Sequence, residues 1–130
     1  MGYLNEDARA LPGLMLESLT TAENYGRLAR CFSGWQKEAL NRMAREDKAQ
    51  GTCIGGICAL VMGERPQKQV PTPDTGAVNV RLKKSYARAM HLMSACEAFS
   101  ADPEYGPVFQ RLSIRQQDHC RKILEIIGSL

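Results

Sequence analysis

Pro66, Pro71 and Pro73 fall within one stretch, Gly63–Ala77, and a pair of long amphipathic segments lies on each side of it. Proline removes a backbone donor and clashes with the preceding helical turn, so this stretch reads as a non-helical connector. At about 15 residues, it reaches up to roughly 50 Å when extended at ~3.3 Å per residue. A helix of about 22 residues is ~33 Å long. The connector can therefore cross the whole length of a helical bundle, and this constrains the fold more than any other feature.

The four flanking segments have helical spacing. The first spans about residues 12–32: Pro12 suits a first helical turn, and Met15, Ser18, Ala22, Tyr25, Ala29 and Phe32 form its stripe. Ser33-Gly34 interrupts the pattern. The second spans about 35–62, with Leu40, Met43, Asp47, Gln50, Ile54, Ile57 and Val61 in line and Lys37, Asn41, Arg45 and Lys48 mostly opposite. Gly51, Gly55 and Gly56 weaken it by roughly 1 kcal/mol each relative to Ala, or permit close helix approach. The third spans about 78–99 and carries Leu82, Tyr86, Ala89, Met93 and Cys96. Asp102-Pro103-Glu104 makes a turn. The fourth spans about 107–127, opens at Pro107, carries Phe109, Leu112, Gln116, His119, Ile123 and Ile127, and stops at Gly128. No strand pattern or repeat is present. The expected fold is all-α: an antiparallel four-helix bundle in one domain, residues 1–130, with tight turns within each half and one long crossover between helices 2 and 3.

Polar residues interrupt the apolar stripes at one level. Asp47 and Gln50 stand at i, i+3 on the second helix, and Gln116 and His119 at i, i+3 on the fourth. Such groups are costly in a core unless they pair or bind something. Their spacing matches the Glu-x-x-His pairs that hold two iron or manganese ions in carboxylate bundles, but their identities mostly do not. Ser18 on the first helix and Ala89 on the third complete the level. Asp47 and His119 are expected to form an internal hydrogen-bonded pair, with Asp47 orienting the imidazole and stabilising its protonated form.

Other classes are disfavoured. The net charge of +3 comes from 17 basic residues interspersed with 14 acidic ones, and aromatics are only 6%, which gives no footprint for nucleic acid. Cys31, Cys53, Cys58, Cys96 and Cys120 include no Cys-x-x-Cys pair and read as reduced core thiols of a cytoplasmic protein. His91 reads as a surface histidine, and Tyr25 and Tyr86 as core residues with capped hydroxyls. The first residues, Met1 to Glu6, show neither a leader nor a myristoylation pattern, and no apolar run approaches the ~18 residues of a membrane span.

The chain resembles small bacterial ferritin-like proteins of the rubrerythrin type over nearly its whole length. The stretches that carry the resemblance are Tyr25-Gly-Arg-Leu-Ala, Leu40-Asn-Arg-Met-Ala-Arg-Glu-Asp, Ser100-Ala-Asp-Pro-Glu-Tyr-Gly-Pro-Val-Phe109 and His119-Cys-Arg-Lys-Ile-Leu-Glu-Ile-Ile-Gly128. The resemblance implies a ferritin-like bundle, often dimeric, with a dimetal centre used on peroxide or oxygen. Carried over position by position, the four glutamates of such a centre fall on Ser18, Asp47, Ala89 and Gln116, and its two histidines on Gln50 and His119. A tyrosine often found late in the third helix is replaced by Cys96. Asp47 and His119 remain as metal-site remnants, while Ser18, Gln50, Ala89 and Gln116 stand at lost ligand positions. Glu17 and Glu46 flank two of these positions. One carboxylate and one imidazole cannot neutralise two divalent ions.

Three functions follow as expectations. The first is a degenerate, non-catalytic bundle without a cofactor, a homodimer that assembles or binds a protein partner. The second is a di-iron or di-manganese oxidoreductase of the rubrerythrin type. The third is a thiol redox protein, for which no cysteine stands out.

Overall fold

The computed structural model describes residues 8–130; the N-terminal residues read above as free of leader and lipid signals lie outside them. A single 3-10 turn, Ala8–Ala10, leads into four helices: α1 (Leu11–Ala29), α2 (Trp35–Met62), α3 (Val78–Phe99) and α4 (Gly106–Gly128). The described residues are all-helical with no strand, compatible with a four-helix bundle. No helix among them is long and apolar enough to cross a membrane.

The punctuation follows local chemistry. Helix α1 stops at Ala29, three residues short of the expected Phe32, because Cys31 N–H and Phe32 N–H bond back to Leu28 O and Ala29 O in a tight turn. Gly34 then takes φ 71°, a left-handed value that suits glycine, and α2 begins. Gly63, at φ 87°, ends α2 with its N–H on Ala59 O. Before α4, the Asp102 carboxylate accepts from the backbone N–H groups of Glu104 and Tyr105, at 2.9 and 2.7 Å. Gly106 packs so tightly there that a Cβ would collide with Ser100 O.

The connector is strapped to both halves. The Asn24 amide on α1 donates to Thr72 O and its oxygen accepts from Asp74 N–H at 2.8 Å. Asp74 in turn takes a two-pronged ion pair from Arg88 on α3. Arg65 donates to Thr52 O and lies over Gly55 of α2.

Packing is heaviest between α1 and α2 and between α3 and α4, lighter between α1 and α3, and slight between every other pair of helices. Gly51 permits the close approach of α1, since a Cβ there would stand 2.7 Å from Leu19 Cδ2. Two apolar clusters form the core. One contains Leu14, Met15, Ile54, Leu92, Phe99 and Phe109, with the two phenyl rings 4.9 Å apart. The other contains Tyr25, Leu28, Leu40, Leu82, Ile123 and Ile126. Of the cysteines read as core thiols, Cys58, Cys96 and Cys120 are buried, but Cys31 and Cys53 are exposed. Cys31 lies in the turn after α1, and Cys53 follows Thr52 on the exposed side of α2, so neither reaches a cluster.

Candidate functional site

Ser18, Asp47, Gln50, Gln116 and His119 all have side chains out of solvent, between the two apolar clusters. Ser18 Oγ donates to Leu14 O at 2.9 Å, which satisfies its hydrogen within its own helix. It accepts from Gln50 Nε2 at 3.1 Å. The other end of the Gln50 amide accepts from Gln116 Nε2 at 3.0 Å, and Gln116 Nε2 also donates to Asp47 Oδ1 at 2.7 Å. One chain of hydrogen bonds thus joins α1, α2 and α4. Helical spacing explains it: residues three apart share a face, so each i, i+3 pair aims at a common point.

His119 is close to Asp47 but is not hydrogen-bonded to it. Its Nδ1 stands 3.4 Å from Asp47 Oδ1 and has no hydrogen-bond partner, while its Nε2 donates to Glu46 Oε1 at 2.8 Å. The expected Asp47–His119 pair is therefore corrected to Glu46–His119. Glu46 is partly exposed, so the imidazole hydrogen goes to the better-solvated carboxylate. Arg42 flanks Glu46 at 3.8 Å and bridges to Asp118. The Tyr25 ring meets the imidazole edge-on, with centroids 5.7 Å apart.

Burial sets the electrostatics. Desolvation raises the Asp47 carboxyl to about 7, opposed by the Gln116 hydrogen bond and assisted by the nearby Glu46 charge. Desolvation also lowers His119 below its ordinary value, opposed by Glu46. At neutral pH the ring is therefore uncharged, contrary to the expectation that Asp47 stabilises a protonated imidazole. Burial pushes the Cys96 thiol up to about 12, so it stays protonated.

Several buried atoms keep spare capacity. Tyr25 Oη, Asp47 Oδ2, Ser85 Oγ, Gln116 Oε1 and His119 Nδ1 have no hydrogen-bond partner in the protein. The Tyr25 hydroxyl, expected to be capped, is among them. Tyr86 is half-buried against the cluster around Leu82. Ala89 is fully buried and brings no polar atom from α3; Ser85, one turn earlier, is the polar residue there.

Among the described residues, no group of three or more His, Cys, Asp or Glu is gathered as a metal ion would need. The Gln116 amide hydrogens point at Asp47 Oδ1 and Gln50 Oε1, two of the oxygens that would otherwise face a cation. Rotating that amide would set its oxygen against theirs, so the assignment follows from the network. Of the flanking acids, Glu17 turns outward and accepts from His91 Nδ1 at 2.7 Å, and Glu46 holds His119. His91 is exposed as expected, with a carboxylate partner from α1 that its own helix does not supply.

Sequence reasoning missed two participants, Glu46 as the partner of His119 and the unpaired Ser85. Glu46 lies one residue, and so ~100°, off the buried stripe, but its long side chain reaches back. Ser85 has a detectable signal, because it precedes Ala89 by four residues and shares its face. No protein-family model, curated protein or solved structure matches the chain.

Proposed function

We propose that this chain is a ferritin-like, antiparallel four-helix bundle that has lost its dimetal centre and works without catalysis, as a structural or partner-binding protein. The observation that carries this reading is the Gln116 amide, whose nitrogen joins Asp47 and Gln50 at 2.7 and 3.0 Å where two metal ions would need open oxygens. Contacts between helices support the antiparallel arrangement because they run in opposite order along paired helices. Gln36, Glu46 and Gln50 of α2 meet Ser129 just past α4, then His119 and Gln116. Glu17 and Cys31, from α1 and the turn after it, meet His91 and Arg81 of α3. The reading includes a homodimer, carried by the resemblance, a cytoplasmic setting, carried by the unpaired thiols, and no resident cofactor, carried by the replaced ligand positions.

A second reading, an iron- or manganese-dependent oxidoreductase acting on peroxide or oxygen, draws on the unpaired Asp47 Oδ2, Gln116 Oε1 and His119 Nδ1. It requires Glu17 and Glu46 to leave their histidines and turn inward. Elemental analysis of untagged protein, followed by titration with ferrous iron and manganese, separates the two. The first reading expects no bound metal and a thermal midpoint unmoved by either ion. Two metals per chain would overturn it.

A further inference from the structure

A groove of about 530 Å³ runs between α1 and α2, with Lys68, Gln69 and Pro71 of the connector forming its third wall. Ala22, Gly26, Ala29 and Ala44 make an apolar floor of small side chains. Arg30, Lys37, Arg45, Lys48 and Lys68 stand around it, and among the described residues none of these five makes an ion pair. Glu23 is the one acid of the lining, and Arg27, on the same wall, already neutralises it at 3.2 Å. The whole chain carries only +3, so the charge is concentrated here.

We propose that this groove docks an acidic amphipathic helix of a partner protein, an inference that rests on the partner-binding reading above. The charge and shape argue for that occupant. The α1 wall extends from Leu19 to Arg30, about 16 Å at ~1.5 Å per residue, or three turns of helix. The cations come from all three walls along that length rather than converging on one point. A single phosphate or carboxylate engages two or three of them; a helix with acids recurring along its flanks engages them all. The floor of alanines and a glycine lets an apolar helical stripe approach closely, as in helix-in-groove recognition.

The test uses fluorescence anisotropy with a labelled peptide of about 16 residues, with Leu and Ala on one helical face and Glu on the other. Controls are a peptide of the same composition in scrambled order and a DNA oligonucleotide, single-stranded and duplex. Two variants separate charge from shape. Arg45→Glu with Lys48→Glu reverses two exposed cations. Gly26→Leu fills the floor at a position where a Cβ meets nothing within 4 Å, so the fold is spared. Circular dichroism checks both variants. The expected result is that the patterned peptide binds at least tenfold more tightly than its scramble and than either DNA, and that each variant weakens it at least tenfold. Equal binding of the scramble, tighter binding of DNA, or affinity within twofold of the parent for either variant overturns the proposal. Metal analysis distinguishes the two failures. Metal-free protein that ignores the peptide leaves the degenerate-bundle reading standing; metal-loaded protein that binds it does the reverse.

Discussion

At the level of Leu14, Ile54, Leu92 and Phe109, the four helices meet through apolar side chains alone. One to two turns along, at Ser18, Gln50 and Gln116, α1, α2 and α4 meet through hydrogen bonds between amides and a hydroxyl. Both levels are fully buried, so the difference is not one of access. Apolar contacts gain from area and tolerate small shifts, whereas a buried hydrogen bond contributes about 1 kcal/mol net but costs more when one partner is removed. The apolar clusters thus hold most of the stability, and the polar level decides which arrangement is stable.

The sharpest way to break this comparison is at its apolar side. Ile123→Ala, which removes a fully buried side chain, is expected to lower unfolding free energy by about 2–5 kcal/mol in urea denaturation. A smaller loss would mean that the cluster is loosely packed. Next comes Gln116→Leu. It leaves Asp47 Oδ1 and Gln50 Oε1 without a donor and is expected to cost about 1–3 kcal/mol. Replacing Asp47, Gln50 and Gln116 together by Leu should recover that loss, since removing a whole buried polar group is often neutral or stabilising. A triple variant weaker than the single one would show that the level is itself a source of stability.

Acidity sharpens the comparison further. Asp47 is raised to about 7, so the folded state holds its proton more tightly than the unfolded state, and stability from this group grows as pH falls from about 7 toward 4. His119 is lowered, so its contribution is lost as pH falls through its unfolded value near 6.5. The two oppose each other, so His119 offsets part of the gain that Asp47 brings to the parent between pH 7 and 5. His119→Gln should unmask the Asp47 slope, a gain on the order of 2 kcal/mol on acidification across that range. Asp47→Asn should unmask the opposite slope. Parallel pH profiles in the two variants would refute the assignment.

The smallest effects come from two glycines of α2, one facing α1 and one facing the connector. Gly56→Ala meets only Arg65 Nη2, at 3.5 Å, and should gain up to ~1 kcal/mol from helix propensity. Gly51→Ala runs into Leu19 and should lose stability despite the same propensity gain. Thermal melts read both.

Much of the fold was legible because its signals are local. Three prolines between Pro66 and Pro73 exclude a continuous helix through the connector, Gly34 and Gly63 mark helix ends, and the stripes from Leu40 to Ile57 and from Phe109 to Ile123 are buried as their spacing requires. What stayed hidden depends on reach. The Asn24 amide looks like any polar residue in a helix until Thr72 and Asp74, far along the chain, come to it. Glu46 reads as a flanking residue because periodicity records where Cα points and not how far a carboxylate extends. The membership of the polar level was legible from Asp47, Gln50, Gln116 and His119. Its wiring was not, because the choice of Glu46 over Asp47 as the partner of His119 turns on solvation at the rim.

The chain of bonds from Leu14 O through Ser18, Gln50 and Gln116 to Asp47 has a consequence for how these helices are indexed. Leucine and isoleucine stripes look nearly the same after one helix slides past another by a turn, about 5.4 Å. The amides do not, because at any other setting each faces an apolar neighbour. The level works as a key in a keyway, legible at a single setting. Drift in its members would then be concerted: a lineage that replaces Gln116 should alter Asp47 or Gln50 as well, while Leu92 and Ile126 remain free to exchange for other apolar residues one at a time.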